Sequence, residues 1–225
     1  MANLILLRHG QSVWNKSNLF TGWVDVPLSK KGIEEATLAG KRLADQNVDV
    51  MYVSALVRSQ MTAYIAMAEN RQSKIPRRIH KGDEAQSSWY EIGLEGSETL
   101  IPVYEAWELN ERMYGALQGK NKQQTIDKYG AEQVRTWRRS FATCPPGGES
   151  LELTAKRAIP FFTDEVLPSL GKGKDVFVCA HGNSLRSIVM YIEKLTNEEV
   201  LKLEIATGDP ILYEYTKGSF QKKSV

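Results

Sequence analysis

The stretch LILLRHG, residues 4–10, contains four apolar residues that are followed directly by an arginine, a histidine and a glycine. A short apolar run of this length is typical of a buried strand. The stretch VFVCAHGN, residues 176–183, has the same arrangement, with an apolar run that ends at a histidine followed by glycine. Each stretch therefore predicts a strand with a histidine at its carboxyl end.

Helical patterns alternate with the strands along the chain. Ser29 predicts the start of a helix at Lys30, and Ser150 predicts the start of a longer helix that Pro160 is expected to kink. The remaining predicted elements are strands at residues 48–53, 175–180 and 211–216 and helices at residues 56–68 and 184–195. This alternation favours a three-layer α/β fold, in which a mostly parallel central sheet is flanked by helices.

The composition narrows the class of protein. The chain has 225 residues, of which 42% are apolar and 25% are charged, and its net charge of +2 gives no reason to expect a nucleic-acid partner. No apolar run approaches the roughly 20 residues of a membrane span, and the N-terminus lacks the pattern of a secretory signal, so no membrane partner is expected. The two cysteines form no Cys-x-x-Cys pair, which predicts a cytoplasmic protein.

One domain is predicted over residues 1–225, because no linker rich in proline, glycine or serine divides the chain. Residues 70–101 are polar and weakly periodic, and we predict that they form an insertion. Five basic residues in its first part are followed by five acidic residues in its second part, so their charges cancel. A solvated loop is expected there, with a hairpin, a lid or a subunit contact as alternatives. A homo-oligomer is compatible with the sequence, which does not fix the oligomeric state.

The two strand ends carry residue types suited to phosphate chemistry. The guanidinium of Arg8 would hold a phosphate through two hydrogen bonds and would disfavour the imidazolium form of His9, leaving that histidine neutral and nucleophilic. Gly10 would let the backbone approach a ligand closely. Since the chain has only three histidines, the second motif at residues 181–183 predicts that His9 and His181 share one site.

Two histidines with arginines favour phosphoryl transfer through a phosphohistidine. The phosphate-binding pattern GxxxxGK[ST] is absent from the sequence, so a nucleoside triphosphate is not expected. Cys179 and His181 lie two residues apart, but no further set of ligands has metal spacing. We therefore expect no metal and place Cys179 in the core.

The sequence resembles the histidine phosphatase superfamily at residues 8–10, at Arg58 and at residues 181–182. Within that superfamily it resembles the cofactor-dependent phosphoglycerate mutases. The motifs that carry this closer resemblance are Asn15, FTGW at residues 20–23, LNERMYGALQG at 109–119, NK at 121–122, WRR at 137–139 and HGNSLR at 181–186. It covers nearly the whole chain outside residues 70–101.

The resemblance implies a phosphoglycerate mutase-like fold and the interconversion of 3-phosphoglycerate and 2-phosphoglycerate in glycolysis and gluconeogenesis, with 2,3-bisphosphoglycerate as the priming cofactor. It implies that His9 carries the phosphoryl group and that Glu111 acts as general acid and base, with a pKa that partial burial is expected to raise. His181, Arg8 and Arg58 would stabilise the group in transfer. The implied substrate-binding residues are Gly10, Ser12, Asn15, Thr21, Gly22, Arg112, Tyr114, Lys122, Arg138, Arg139, Gly182 and Asn183.

Two other functions are compatible with these residues. A phosphomonoester phosphatase of the same superfamily needs the same histidines but no second anion-binding group. A phosphate-binding or phosphopeptide-binding module without activity needs no nucleophile. On their own, Arg138 and Arg139 also fit a solvated helix face, and Glu111 fits a surface glutamate.

Overall fold

The computed structural model describes residues 1–80 and 99–225, in which seven strands form one sheet. The strands are β1 (Ala2–Arg8), β2 (Val50–Ser54), β3 (Ile75–Arg78), β4 (Leu100–Ala106), β5 (Val176–Ala180), β6 (Pro210–Thr216) and β7 (Ser219–Lys223). Their order across the sheet is β3-β4-β2-β5-β1-β6-β7. The strands from β3 to β1 run parallel, and β6 pairs antiparallel with both β1 and β7. The predicted α/β fold with a mostly parallel sheet is confirmed.

Helices connect and cover the strands. They are α1 (Val13–Lys16), α2 (Lys30–Arg42), α3 (Val57–Met67), α4 (Lys122–Tyr129), α5 (Ala131–Arg139), α6 (Leu151–Phe161), α7 (Leu167–Gly171), α8 (Gly182–Glu193) and α9 (Asn197–Lys202). The predicted N-caps are confirmed, since Ser29 and Ser150 each accept a backbone N–H of the first turn through the side-chain oxygen. Pro160 lies inside α6, where it lacks the N–H donor of other helical residues, and a π-helical turn follows at Phe162–Val166.

Each face of the sheet is buried under helices, which gives three layers. Along β1, Leu4 and Leu6 pack in one hydrophobic cluster with Phe162 and other side chains from the region of α6–α8. The alternate residues Ile5 and Leu7 pack in a second cluster with side chains of α2 and α3. Cys179 is fully buried in this second cluster, as predicted.

Three strands were not predicted from the sequence. Residues 219–223 form β7 after a two-residue turn at Lys217 and Gly218, both of which have positive φ. The other two strands, β3 and β4, pair in parallel, so they do not form a hairpin with each other. Strand β3 therefore lies within the first part of the predicted insertion and belongs to the sheet, whereas residues 81–98 lie outside the described residues. The insertion at 70–101 and the single domain stay predictions.

The register between β1 and β5 brings the two histidines together. Arg8 pairs with Ala180, and the N–H of His9 donates to the carbonyl of Ala180 at 3.0 Å. His9 and His181 therefore leave neighbouring strands at the same level, at the carboxyl edge of the sheet where sites of open α/β folds form. Within residues 1–80 and 99–225, no helix is both long and apolar enough to cross a membrane.

Candidate active site

The carboxyl ends of β1 and β5 open onto a cleft of about 170 Å³. Its walls contain thirteen of the predicted site residues, which come from both halves of the chain. They are Arg8, His9, Asn15, Thr21, Gly22, Arg58, Glu111, Tyr114, Lys122, Arg138, Arg139, Gly182 and Asn183. The structure therefore brings most of the predicted site residues together in one cleft.

His9 is held in its neutral form. Its Nδ1 lies 2.7 Å from the carbonyl oxygen of Gly10, and because a carbonyl only accepts, this hydrogen bond places a proton on Nδ1. Burial, together with the charges of Arg58 and Arg8, holds the pKa of His9 well below its usual range. The ring is therefore neutral at pH 7, with the lone pair on Nε2.

His181 lies directly against His9, with 4.8 Å between the ring centroids. Its side chain is fully buried, and its Nε2 lies 2.7 Å from Ser54 Oγ at the end of β2. Its Nδ1 is buried without a hydrogen-bond partner among the described residues. Burial and the charge of Arg58 lower the pKa of His181 well below its usual range, so this ring is also neutral.

Two arginines supply positive charge next to the histidines. Arg58 of α3 is 1% exposed, and its guanidinium donates to the carbonyls of Val24 and Gly22 at 2.9 and 2.7 Å. Burial lowers the pKa of Arg58 to about 10, at which it is still charged at pH 7. Arg8 donates through Nη1 to the carbonyl of Ile205, and its buried Nε has no partner among the described residues. These charges favour a phosphoryl group in the cleft.

Glu111 is ionised, which corrects the predicted direction of its pKa. Its Oε1 accepts hydrogen bonds from Asn183 Nδ2, from the Asn183 N–H and from the Arg112 N–H, at 2.7, 3.2 and 2.7 Å. Burial alone raises the pKa of Glu111, but these hydrogen bonds, with the charges of Arg8 and Arg58, outweigh burial and hold the pKa below its usual value. The expectation of a raised pKa was wrong because it counted burial without these donors.

A buried arginine fixes the backbone that carries Glu111. Arg157 of α6 donates to the carbonyls of Glu108, Asn110 and Glu111, at 2.6, 2.9 and 3.0 Å. The same guanidinium binds both carboxylate oxygens of Glu149, at 2.9 and 2.8 Å, and its side chain is only 8% exposed. This arrangement holds the segment before and at Glu111 against α6.

The entrance of the cleft carries a second set of cations, which we call the rim group: Lys122, Arg138, Arg139 and Arg186. Lys122 begins α4, Arg138 and Arg139 end α5, and Arg186 lies in α8. Burial and the charge of Arg138 lower the pKa of Lys122, which shows that these cations repel one another across the cleft. Such a set favours an anionic ligand with more than one charged group.

Three predicted substrate-binding residues do not line the cleft. Gly10 packs against α2, where a Cβ at its position would lie 2.3 Å from the carbonyl oxygen of Gly32. Ser12 caps α1, because its Oγ accepts the N–H of Asn15. Arg112 is 1% exposed and donates to Tyr114 Oη and to the Arg138 carbonyl, so it supports the cleft wall from behind. These contacts give all three residues a structural position.

The cleft also contains two charged residues, Arg186 and Glu204, that were not among the predicted site residues. Arg186 lies three residues after Asn183 in α8, and the i, i+3 helical spacing that puts both side chains on one face was the available signal. Glu204 also lines the cleft, but no local pattern marks it. Among the described residues, no group of three or more His, Cys, Asp or Glu side chains is placed to hold a metal ion.

Comparison with known sequences gives the family. The model of the Histidine phosphatase superfamily (branch 1) matches residues 4–82 and 91–225. The "2,3-bisphosphoglycerate-dependent phosphoglycerate mutase" of Protochlamydia amoebophila is 52% identical over 224 residues, which cover 99% of each chain. The protein of the same name from Chlamydia abortus is 54% identical over 222 residues, 99% of this chain and 97% of the relative. "2,3-bisphosphoglycerate-dependent phosphoglycerate mutase 1" of Arabidopsis thaliana is 53% identical over 99% of this chain and 67% of its own length.

Solved structures agree on the fold. The alpha-ribazole phosphatase of Shigella flexneri matches with a TM-score of 0.75 at 20% identity. The match covers 98% of this chain and 94% of the phosphatase chain. A mycobacterial glucosyl-3-phosphoglycerate phosphatase has a TM-score of 0.73 at 22% identity, over 99% of this chain and 98% of its own. The family model and the sequence relatives show that the chain belongs to the 2,3-bisphosphoglycerate-dependent phosphoglycerate mutases of the histidine phosphatase superfamily.

Proposed function

We propose that this chain interconverts 3-phosphoglycerate and 2-phosphoglycerate by passing a phosphoryl group through His9. The observation that carries the proposal is the presence of three groups in one cleft: a neutral histidine with a free Nε2, an ionised glutamate and a separate row of cations. The family relatives are named as phosphoglycerate mutases, which supports the same reaction.

His9 is the nucleophile in this mechanism. Its Nε2 lone pair attacks the phosphorus of a bound phosphate ester, the P–N bond forms, and the P–O bond to the substrate breaks. Arg8 and Arg58 line the cleft with His9 and would balance the charge on the phosphoryl oxygens, and the ring of His181 lies 4.8 Å from that of His9. The N-terminus of α8, which begins at Gly182, adds a positive helix dipole at the same place.

Glu111 moves the proton. When a substrate hydroxyl attacks the phosphoryl group on His9, a new P–O bond forms, the P–N bond breaks, and the hydroxyl proton passes to the Glu111 carboxylate. In the opposite direction the protonated Glu111 returns that proton to the leaving oxygen. A bound substrate brings further negative charge, which raises the pKa of Glu111 and makes it a better base than it is in the free protein.

The rim group would hold the part of the substrate that does not react. Lys122, Arg138 and Arg139 suit the carboxylate or the second phosphate, and Tyr114 and Asn15 add hydroxyl and amide donors. A phosphatase acting on simple esters has no need of this second anion site. The rim group therefore favours the mutase over the phosphatase.

The cleft also fits 2,3-bisphosphoglycerate, on which the named relatives depend. Two buried polar atoms in its wall, Thr21 Oγ1 and Arg8 Nε, have no partner among the described residues and suit phosphate oxygens. Two sets of cations, one beside His9 and one at the rim, match a ligand with two phosphates. When bound, this cofactor supplies the phosphoryl group that first loads His9.

The test is a conversion assay on the purified protein. With 3-phosphoglycerate and a trace of 2,3-bisphosphoglycerate, we expect 2-phosphoglycerate to form at a rate that falls sharply without the bisphosphate. His80→Ala, which alters the third histidine outside the cleft, serves as the matched control for His9→Ala. Release of inorganic phosphate from many phosphomonoesters, without any 2-phosphoglycerate, would show a phosphatase instead.

A further inference from the structure

The rim of the cleft contains a carboxylate that bridges two of its arginines. Glu204 follows α9, and its Oε1 accepts a hydrogen bond from Arg139 Nη1 at 2.9 Å. Its Oε2 lies 3.5 Å from Arg186 Nη2. All three side chains line the cleft, so an acidic group of the protein occupies a position between cations that an anionic substrate also requires.

Arg186 is placed to bind an anion. Its side chain is 12% exposed, and its Nε is buried without a hydrogen-bond partner among the described residues. Burial and the charge of Arg139 lower the pKa of Arg186, whereas Glu204 raises it, and both Glu111 and Arg8 also act on it. Arg186 therefore belongs electrostatically to the cleft as well as to the pair with Glu204.

Glu204 differs from Glu111 in how firmly it is held. The Glu204 side chain is 68% exposed and, among the residues that the structure describes, has only its two arginine partners, whereas Glu111 is buried with three donors. The backbone after Glu204 is anchored, because Arg8 donates to the carbonyl of Ile205 and the N–H of Gly208 donates to the carbonyl of Arg8. The Glu204 carboxylate can thus move into solvent while the segment behind it stays in place.

We propose that Glu204 is an internal competitor for the second anionic group of the substrate, and that Arg186 binds this group together with Arg139 once Glu204 has moved away. The inference rests on the proposed function, because it concerns the substrate site of that reaction. Glu204 lowers the affinity of the cleft for every ligand with a second negative charge. It has no such effect on a monoester that carries one phosphate and no further charge.

The experiment measures the dissociation constant of 3-phosphoglycerate by titration calorimetry for the unmodified chain, for Glu204→Gln and for Glu198→Gln. Glu198→Gln is the matched control, since it removes the same charge from the exposed end of α9 and does not line the cleft. Glu204→Gln is expected to tighten binding about threefold, the size typical of an exposed ion pair, and the control is expected to change nothing. In a chain that also carries Arg186→Met, Glu204→Gln should lower the dissociation constant of 3-phosphoglycerate by a smaller factor.

A second ligand separates competition from a general change in charge. The KM for hydrolysis of p-nitrophenyl phosphate, which has a single phosphate and no second anion, should be equal in the unmodified chain and in Glu204→Gln. Unchanged or weaker binding of 3-phosphoglycerate by Glu204→Gln, or an equal gain with p-nitrophenyl phosphate, overturns the inference. Calorimetry needs no turnover, so a chain that binds 3-phosphoglycerate without converting it refutes the proposed function and leaves the competition measurable.

Discussion

The candidate site, the cleft together with His181 beside it, has two parts that differ in how their side chains are held. The buried group, His9, His181, Arg58 and Glu111, is at most 9% exposed, and its polar atoms are hydrogen-bonded mainly to backbone and to neighbouring side chains. The rim group lies at helix ends and in α8, where Arg139 is 43% exposed and pairs with an exposed glutamate. The ends of β1 and β5, together with α3 and the segment after β4, therefore fix the groups that would perform the chemistry. The helices α4, α5 and α8 present the groups that would select the substrate.

This difference predicts that changes in the buried group alter turnover and that changes in the rim group alter affinity. The largest effect on this comparison is expected for Glu111→Gln. The variant keeps an oxygen for Asn183 but cannot carry a proton, so mutase kcat should fall roughly 10²–10⁴-fold. The measurement is the rate of 2-phosphoglycerate formation at saturating substrate.

A single-turnover assay provides the control for Glu111→Gln. With p-nitrophenyl phosphate as substrate, p-nitrophenolate leaves without help from an acid. The first turnover, in which the phosphoryl group passes to His9 and p-nitrophenolate is released, should therefore proceed in the variant. Equal losses in both assays would mean that Glu111 holds the structure of the cleft and does not move a proton.

The support of the buried group is tested by Arg157→Met. This change leaves Glu149 without its charged partner and removes the donors from three backbone carbonyls, so the free energy of unfolding should fall by about 3–5 kcal/mol. Lys156→Met is the neighbouring control, because the Lys156–Glu152 pair is exposed and should contribute less than about 1 kcal/mol. Urea denaturation measures both, and similar losses would contradict the role given to Arg157.

The rim group is tested by Arg138→Met. Loss of this cation should raise KM for 3-phosphoglycerate roughly 30-fold, equivalent to about 2 kcal/mol, with little change in kcat. Arg135→Met, on the same helix but outside the cleft, should leave KM unchanged. A fall in kcat at constant KM would place Arg138 with the buried group and remove the distinction between the two parts.

The smallest effect is on stability against pH. The pKa values of His9 and His181 are lowered in the folded chain, so between pH 7.5 and 5.5 the unfolded chain gains protons there and the folded chain does not. The free energy of unfolding should therefore decrease as the pH is lowered from 7.5 to 5.5, by up to about 1.4 kcal/mol per histidine. The lowered pKa of Glu111 stabilises the folded chain, and this stabilisation is lost only at pH values near and below the ordinary pKa of a glutamate, which lie below the window from pH 7.5 to 5.5. His9→Asn should remove part of the slope, and a flat profile in the unmodified chain would contradict the burial of neutral histidines.

Much of the buried group was predictable from the sequence, because it is encoded locally. The apolar runs before His9 and His181 predict two strands, and the parallel pairing of Arg8 with Ala180 then makes the two residues neighbours. The strands β3, β4 and β7 were missed because edge and half-exposed strands carry weaker patterns than buried ones.

The rest depends on contacts between distant parts of the chain. The low pKa of Glu111 arises from Asn183, 72 positions away, and no pattern around Glu111 reveals it. In the same way, the bridge from Glu204 to Arg139 spans 65 positions. The residues Gly10, Ser12 and Arg112 lie in recognisable motifs, but their actual contacts with Gly32, Asn15 and Arg138 required the structure.

In the proposed mechanism, His9 carries the phosphoryl group. The most direct measurement is mass spectrometry of the protein after a brief exposure to 2,3-bisphosphoglycerate, followed by peptide mapping and by addition of 3-phosphoglycerate. We predict one phosphoryl group per chain, located on His9, which disappears when 3-phosphoglycerate is added as 2-phosphoglycerate forms. Phosphate on another residue, or 2-phosphoglycerate formed by a chain in which His9 is replaced by alanine, would contradict the account.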